Sequence, residues 1–423
     1  MRPWVMWGIP SFIFLIAFFH RVAPGTVAKE LMASFQAGGA LIGLLSSLYF
    51  YAYAGLMLPA GVLVDAYGPR RVVAVGGSVM GLGTGLMGWA WAAEPLFLGR
   101  LLIGLGASVT FVGALKVAAD WFQPRWFGTL SAMTATVGVL GSLAATAPFA
   151  LLAGAVGWRW GFVSVGLVSL LASLLCWALV RDRPAAAEAA SQTFGQIMKG
   201  TRQVLSNRHT WPPFLTFFGL YAAFGNLALW VVPFLRDVYD LPIGRAASYA
   251  TAAPLALLFS GPLTGYLSDR VLARRRLPYI ALCWVYFLLW GVFVLTLGRL
   301  SLSGFFALFF TLGLFGAAFV LTWPIGREVN PPELAGVSVA VVNLGGFLGA
   351  ALTQAPMGAL LDARWAGVME GGARVYPLEA YRFTFFICAL FALGAALVAL
   401  AVKETRGQNI YHTLFPARAG RPP

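Results

Sequence analysis

His20 and Arg21 stand side by side in FFHRVAPG, inside a long apolar run. An ionisable side chain at membrane depth is costly and marks function by default. An imidazole titrates near neutral pH, and a guanidinium makes two parallel bonds to a carboxylate or phosphate. Arg21 therefore reads as an anion-binding group. Two alternatives stay open: it snorkels to the outer surface, or it pairs with Glu30. Tyr49 and Tyr53, in SSLYFYAYAG, are spaced i, i+4 and share a helix face, whereas Tyr51 points elsewhere. Their hydroxyls would line a cavity or knit helices together. Farther on, Asn226 and Trp230 lie on one stripe of an apolar run, with Tyr221 one position off it. Asn343 and Gln354 are amides in another run, suited to a site or to a structural hydrogen bond. Arg100 and Lys116 bracket a further run. Arg100 would anchor the interface, and Lys116 would draw an anion out of a cavity.

A second set of charges lies at the ends of runs. Residues 61–71 read GVLVDAYGPRR and residues 265–275 read GYLSDRVLARR. Their aspartates, Asp65 and Asp269, are 204 positions apart. A second echo sets QPRWFGTLSA against PPELAGVSVA, with Pro-x-x-x-Gly at Pro124–Gly128 and Pro332–Gly336, the glycines 208 apart. Two markers at nearly one offset argue for duplicated halves, the architecture in which a site lies between repeats.

These residues need elements to hold them. The chain has 423 residues, 60% hydrophobic and 10% charged, against about 25% charged in a soluble domain. Its solvent is therefore mostly lipid. A window of about 20 apolar residues finds twelve spans: 5–30, 40–64, 71–92, 96–118, 128–153, 159–180, 212–236, 246–267, 278–298, 303–326, 336–361 and 382–402. Backbone groups lack water in a bilayer, so each is expected as a helix, and none alternates as a barrel strand would. The predicted fold is an all-α membrane protein of twelve transmembrane helices in two pseudo-symmetric six-helix bundles. Its parts are a first bundle over 1–183, a linker over 184–211, a second bundle over 212–405 and a tail over 406–423.

Net charge is +14. Nineteen of the 29 basic residues fall on the face of the termini, so the excess reads as positive-inside topology and not as a nucleic-acid surface. Both termini are expected in the cytoplasm and the chain in the inner membrane. Within the linker, Phe194, Ile197, Met198, Val204 and Leu205 suggest an amphipathic helix on the membrane surface. Cys176, Cys283 and Cys388 lie in apolar runs and read as packing residues. The first run has no small-residue cleavage site and reads as a retained helix. Pro24–Gly25 is expected to kink it.

Together the motifs resemble the major facilitator superfamily over essentially the whole chain. The residues that carry the resemblance are Gly61, Leu63, Asp65, Gly68, Arg70 and Arg71, then Gly265, Leu267, Asp269, Arg274 and Arg275. Leu272 replaces a glycine in the second copy. RLLIGLGAS and GWRWGF give further support. The resemblance implies a gating latch, in which Asp65 meets arginines and the N-terminus of the eleventh span near Gly336. It also implies a functional role at Arg100, in the place of a helix-four arginine linked to proton coupling. The combination is most similar to branches near oxalate/formate exchangers, organophosphate antiporters and lysosomal dipeptide uniporters. That implies a small polar solute with a carboxylate, phosphate, amino-acid or peptide group, moved by alternating access.

Acids occur only near span ends, so uniport or exchange is expected over proton symport. A proton-coupled multidrug exporter is the alternative, weakened because VGVLGSLAATAP lacks a Gly-Pro pair. A non-transporting sensor of the same fold is the alternative from another class. No acid/base or metal constellation points to an enzyme, and no P-loop supports ATP drive. No cofactor or metal is expected. The expected partners are a small-molecule substrate and the bilayer, with no nucleic acid, and the chain is expected as a monomer.

Overall fold

Apolar runs of this length satisfy their amides internally and fold as helices. The structure, a computed structural model, describes residues 2–182 and 194–416. Arg183 at the end of the expected first bundle, the first part of the expected linker, and the end of the tail, with Arg418 and Arg421, lie outside the described residues.

The first half begins with α1 (Arg2–Thr26) and α2 (Ala28–Phe35), which share the first span. Next come α3 (Gly39–Tyr67) and α4 (Pro69–Gly88), then α5 (Ala93–Ala107) with α6 (Thr110–Trp121) as the fourth span. Spans five and six, α7 (Phe127–Ala144) and α8 (Ala147–Leu179), form one 53-residue apolar helical run. At 1.5 Å per residue that run is about 80 Å long, more than twice the ~30 Å hydrocarbon core. It must reverse. Gly157 makes the turn at φ 83°, ψ 151°, which a residue with a Cβ avoids. Dividing the run there turns eleven long apolar stretches into twelve spans.

The second half opens with α9 (Phe194–Leu205) and α10 (Trp211–Tyr239). α11 (Ile243–Ala250) and α12 (Ala252–Tyr266) form the eighth span, and α13 (Arg276–Thr296) the ninth. α14 (Leu302–Gly316) and α15 (Thr322–Glu328) share the tenth. α16 (Ala335–Ala363) and α17 (Leu378–Ala399) complete the count, and a short α18 (Tyr411–Leu414) lies in the tail. Between α16 and α17, β1 (Met369–Glu370) pairs antiparallel with β2 (Ala373–Arg374). An even number of crossings puts both termini on one face, here the terminal face; the other is the distal face.

Aromatic rings fill the core of the second half. Phe293 meets Trp290 and Phe385 at centroid separations of 5.7 and 5.3 Å. Between the halves, α3 runs along α16 and α1 approaches α10, and small residues set the spacing. A Cβ on Gly25 would lie 2.7 Å from the Ala228 carbonyl oxygen, and one on Gly358 would strike the Gly39 carbonyl.

Two expectations need correction. The first span breaks at Val27 (φ −110°, ψ 23°), and α1 continues through Pro24. Just before that break, the Thr26 hydroxyl donates to the Ala145 carbonyl at 2.7 Å. The amphipathic helix exists as α9, but Ile197 and Val204 are buried, and Val204 packs with Phe214, Val337 and Val341. Only Phe194, Met198 and Leu205 stay exposed for a membrane surface. The two charged loops also differ in backbone. Gly68 turns from α3 to α4 at φ 80°, whereas the second loop winds as a π-turn over Leu267–Val271 and reverses at Ala273, φ 47°. That shift of the reversal explains why Leu272 is tolerated where the first copy has glycine.

Candidate functional site

Arg21 lies on α1 midway through the molecule, in a cage built by both halves. Its Nε donates to the Tyr49 hydroxyl of α3 and its Nη1 to the Tyr221 hydroxyl of α10, each at 3.4 Å. Its Cζ stands 3.8 Å from the ring centroid of Phe18, 4.9 Å from that of Phe347 on α16 and 5.2 Å from that of Tyr53. Tyr53 and Phe347 stack across the halves with centroids 4.4 Å apart and planes 11° apart. Hydrogen bonds of 3.4 Å are long for N–H donors, so two of five donors are held loosely. Among the described residues no carboxylate lies within ion-pair distance of Arg21. Glu30 instead pairs with Arg236 at 2.6 Å. Snorkelling and the Glu30 pairing are therefore both excluded in this state.

Behind Tyr49 lies a second guanidinium. Arg100, on α5, is fully buried and is no interfacial anchor. Its Nε donates to the Leu45 carbonyl at 3.2 Å and its Nη1 to the His20 carbonyl at 2.7 Å. His20 belongs to this inner layer and not to the cage. Its ring is fully buried, with Nε2 3.0 Å from the Thr84 hydroxyl of α4.

The structure gathers Arg21, Tyr49, Tyr53 and Tyr221 from the predicted set, and leaves others apart. Asn226 donates to the Thr353 hydroxyl and the Ala222 carbonyl at 2.8 Å each, a buried tie between α10 and α16. Gln354 donates to the Gly225 carbonyl at 3.2 Å in the same seam. Trp230 is fully buried near Gly39 on the distal side. Asn343 accepts from Trp323 at 3.0 Å and touches the Met57 sulfur at 3.4 Å, a contact between halves on the terminal side of the cage. Phe18 and Phe347 were not anticipated, because one more phenylalanine in an apolar span carries no mark in the sequence.

A distal clasp was also not anticipated. Lys29 of α2 meets Asp237 of α10 at 2.5 Å and donates to the Arg374 carbonyl at 2.5 Å. Both charged side chains are nearly sealed, at 8% and 2% exposure, so each depends on the other for compensation. Asp362, at the end of α16, accepts the Gly39 and Ala40 amides at 2.8 and 2.9 Å, and so caps the N-terminus of α3 from the other half. Arg374 and the Tyr376 hydroxyl hold that carboxylate at 3.0 and 2.6 Å. Burial, and then the Asp362 carboxylate, push the Tyr376 phenol up, which keeps it a donor.

The latch expected at the terminal face is not made in this state. Asp65 pairs with Lys116 at 3.2 Å, both partly exposed, and Lys116 also reaches Asp120 at 4.0 Å. The space beside Gly61, Gly265 and Gly336 is open to at least 4 Å. The reason is geometric: the halves close at the distal end, so the end of α3 stays away from the start of α16. Gly68 places Arg70, whose amide donates to Asp182 at 2.9 Å and whose Nε donates to the Trp177 carbonyl at 2.8 Å, while the Arg71 side chain is exposed. In the second copy Arg275 bridges Asp269 and Glu328, the latter at 3.3 Å, and the Arg274 side chain is exposed.

The sequence model of the Major Facilitator Superfamily matches residues 11–354. A Bacillus subtilis (strain 168) protein named uncharacterized transporter YybO is 23% identical over 383 residues, covering 83% of this chain and 86% of its own. The Escherichia coli (strain K12) protein named probable galactarate/D-glucarate transporter GarP is 24% identical over 416 residues, covering 88% and 89%. Among solved structures, a bacterial homologue of the human lysosomal transporter Spinster, inward-facing and unoccupied, superposes with a TM-score of 0.79 at 18% identity over 95% of this chain and 96% of that one. That likeness shows the twelve-helix fold.

Proposed function

The chain belongs to the Major Facilitator Superfamily, and on that premise we propose that it carries a small organic anion across the membrane by alternating access. It is a multi-pass membrane transporter and not an enzyme, and its substrate is a small molecule. The observation that carries the anion reading is Arg21. A guanidinium at mid-depth, among rings from both halves and without a carboxylate among the described residues, calls for a counter-ion from outside the chain. A carboxylate or phosphate would take its free donors as a fork. Tyr49 and Tyr221 would add a hydroxyl from each half, and Phe18, Tyr53 and Phe347 would exclude water. Because the cage spans the halves, filling it changes how they fit together, which is what alternating access requires. The relative named for galactarate and D-glucarate supports a carboxylate. We read the mode as uniport or exchange, because the carboxylates lie near span ends and the deepest ones are ion-paired. The terminal face, richer in Lys and Arg, is read as cytoplasmic, with the protein in the inner membrane.

Melting shifts of the detergent-purified protein test the reading. The panel holds dicarboxylates, phosphate esters, amino acids, dipeptides and hydrophobic cations, each also tried with Arg21→Ala. A ligand at about 100 times its dissociation constant stabilises by ~2.7 kcal/mol. An anionic solute is expected to raise the wild-type melting temperature and leave Arg21→Ala unmoved. Shifts from hydrophobic cations alone, equal in both proteins, would overturn the anion reading in favour of a drug exporter.

A further inference from the structure

Arg100 is a charge that the proposed anchor leaves unused. It is fully buried, its donors reach only the backbone carbonyls of Leu45 and His20, and its Nη2 has no partner among the described residues. No carboxylate among the described residues is within ion-pair distance of it. Other sealed charges are matched: Lys29 by Asp237, and Arg275 by Asp269 and Glu328. The two unmatched guanidiniums meet on one residue. Tyr49 takes the Arg21 Nε–H on its hydroxyl, and its ring centroid lies 4.9 Å from the Arg100 Cζ. The Tyr49 hydroxyl in turn donates to the Ala17 carbonyl at 3.0 Å, which turns its oxygen lone pair toward Arg21. Two positive charges thus contact a single phenol, and no described residue supplies an anion to either.

We propose that Arg100 sets the charge of the substrate: acting through Tyr49, it makes the Arg21 site favour a dianion over a monoanion of the same shape. The inference rests on the anion reading above. Arg100 touches no ligand in this scheme. It is a positioning residue whose field reaches the cage through the protein interior, where salt screens it much less than at the surface. A guanidinium keeps its charge at neutral pH better than any other basic side chain. At an effective dielectric of about 20, charges on the order of 10 Å apart change a dissociation constant roughly tenfold. A monoanion bound at Arg21 leaves one interior positive charge unmatched, and a second negative charge on the ligand removes it. Ligands of this class carry two carboxylates, or a carboxylate with a sulfonate or phosphate.

The structural role of Arg100 is real as well, since it ties α1, α3 and α5 together. The test therefore reads a ratio that a merely structural role does not move. Dissociation constants are measured at low salt on the full chain for matched pairs: glucarate with gluconate, and succinate with butyrate. The wild type, which needs no variant, is expected to favour the diacid by about tenfold or more. Arg100→Gln is expected to bring the ratio near one, and Arg100→Lys, which keeps the charge, to retain it. A wild type that binds both members alike overturns the inference and leaves the anion reading standing. So does an Arg100→Gln protein that weakens both members equally. A wild type that binds no acid of either pair overturns the inference and the anion reading together.

Discussion

Arg21 differs from an ordinary buried arginine in how little holds it. Its neighbours are rings and hydroxyls, and the two hydrogen bonds are long. A lysine at the same position would keep the charge and lose the planar fork. Hydrogen bonds to a charged partner contribute about 1.5–3 kcal/mol each. Arg21→Lys is therefore expected to weaken binding of the anion found in the melting panel by roughly ten- to a hundredfold, read by equilibrium binding, with the fold intact by melting in the absence of ligand. An unchanged affinity would place the anion elsewhere. Part of this cage was legible in the sequence, because Arg21, Tyr49, Tyr53 and Tyr221 are polar groups in apolar runs. Azimuth was not. At about 100° per residue, Asn226 is turned about 140° from Tyr221 and Trp230 about 180°, so they point into the α10–α16 seam and the distal core. Nor could the sequence tell a phenylalanine facing the cage, such as Phe347, from one facing lipid.

At the scale of elements, breaks and caps matter more than the spans. Twelve apolar runs were readable because a bilayer allows only helices. The turn at Gly157 and the break at Val27 were not, since each depends on a single residue's dihedral angles. The tail shows how an element is held from a distance. α13 starts without a side-chain cap among its own first residues. Glu404 supplies one, accepting the Arg275 and Arg276 amides at 2.8 and 3.2 Å, and the Arg406 amide at 2.9 Å. Partial burial pushes its carboxyl up, but these backbone donors outweigh that and hold it below the usual carboxylate value. A depressed carboxyl stabilises the fold fully above its unfolded pKa and loses the contribution as pH falls through the folded one. The wild type is thus expected to melt above Glu404→Gln at pH 7, with the gap closing as pH falls below about 4. A gap independent of pH would mean that Glu404 acts through packing and not through its charge.

Across the whole molecule, α3 and α16 run against each other between the halves, with one carboxylate on each. Asp362 at the distal end of α16 caps α3 in the state seen here. Asp65 at the terminal end of α3, for which the family resemblance implies a contact at the start of α16, is here parked on Lys116. In the proposed alternating-access cycle the halves close at one end at a time, so only one cap would form in each state. The caps would then oppose each other across that cycle. Removing a helix cap costs about 0.5–2 kcal/mol, enough to shift a two-state population roughly two- to thirtyfold. Asp362→Ala should favour the distal-open form, and Asp65→Ala should favour the form described here. Spin labels at Trp91 and Glu370, exposed sites on the distal ends of the two halves, would report this as a population at longer distance in Asp362→Ala and none in Asp65→Ala. The three native cysteines are buried and would not compete for label. Anion exchange in proteoliposomes should slow in each single variant, because one leg of the cycle becomes uphill. The double variant should recover part of the rate, since both states lose a cap and their balance returns. Rates that fall multiplicatively in the double variant would mean that the two carboxylates are not counterparts, and that the Lys29–Asp237 and Glu30–Arg236 pairs set the distal closure.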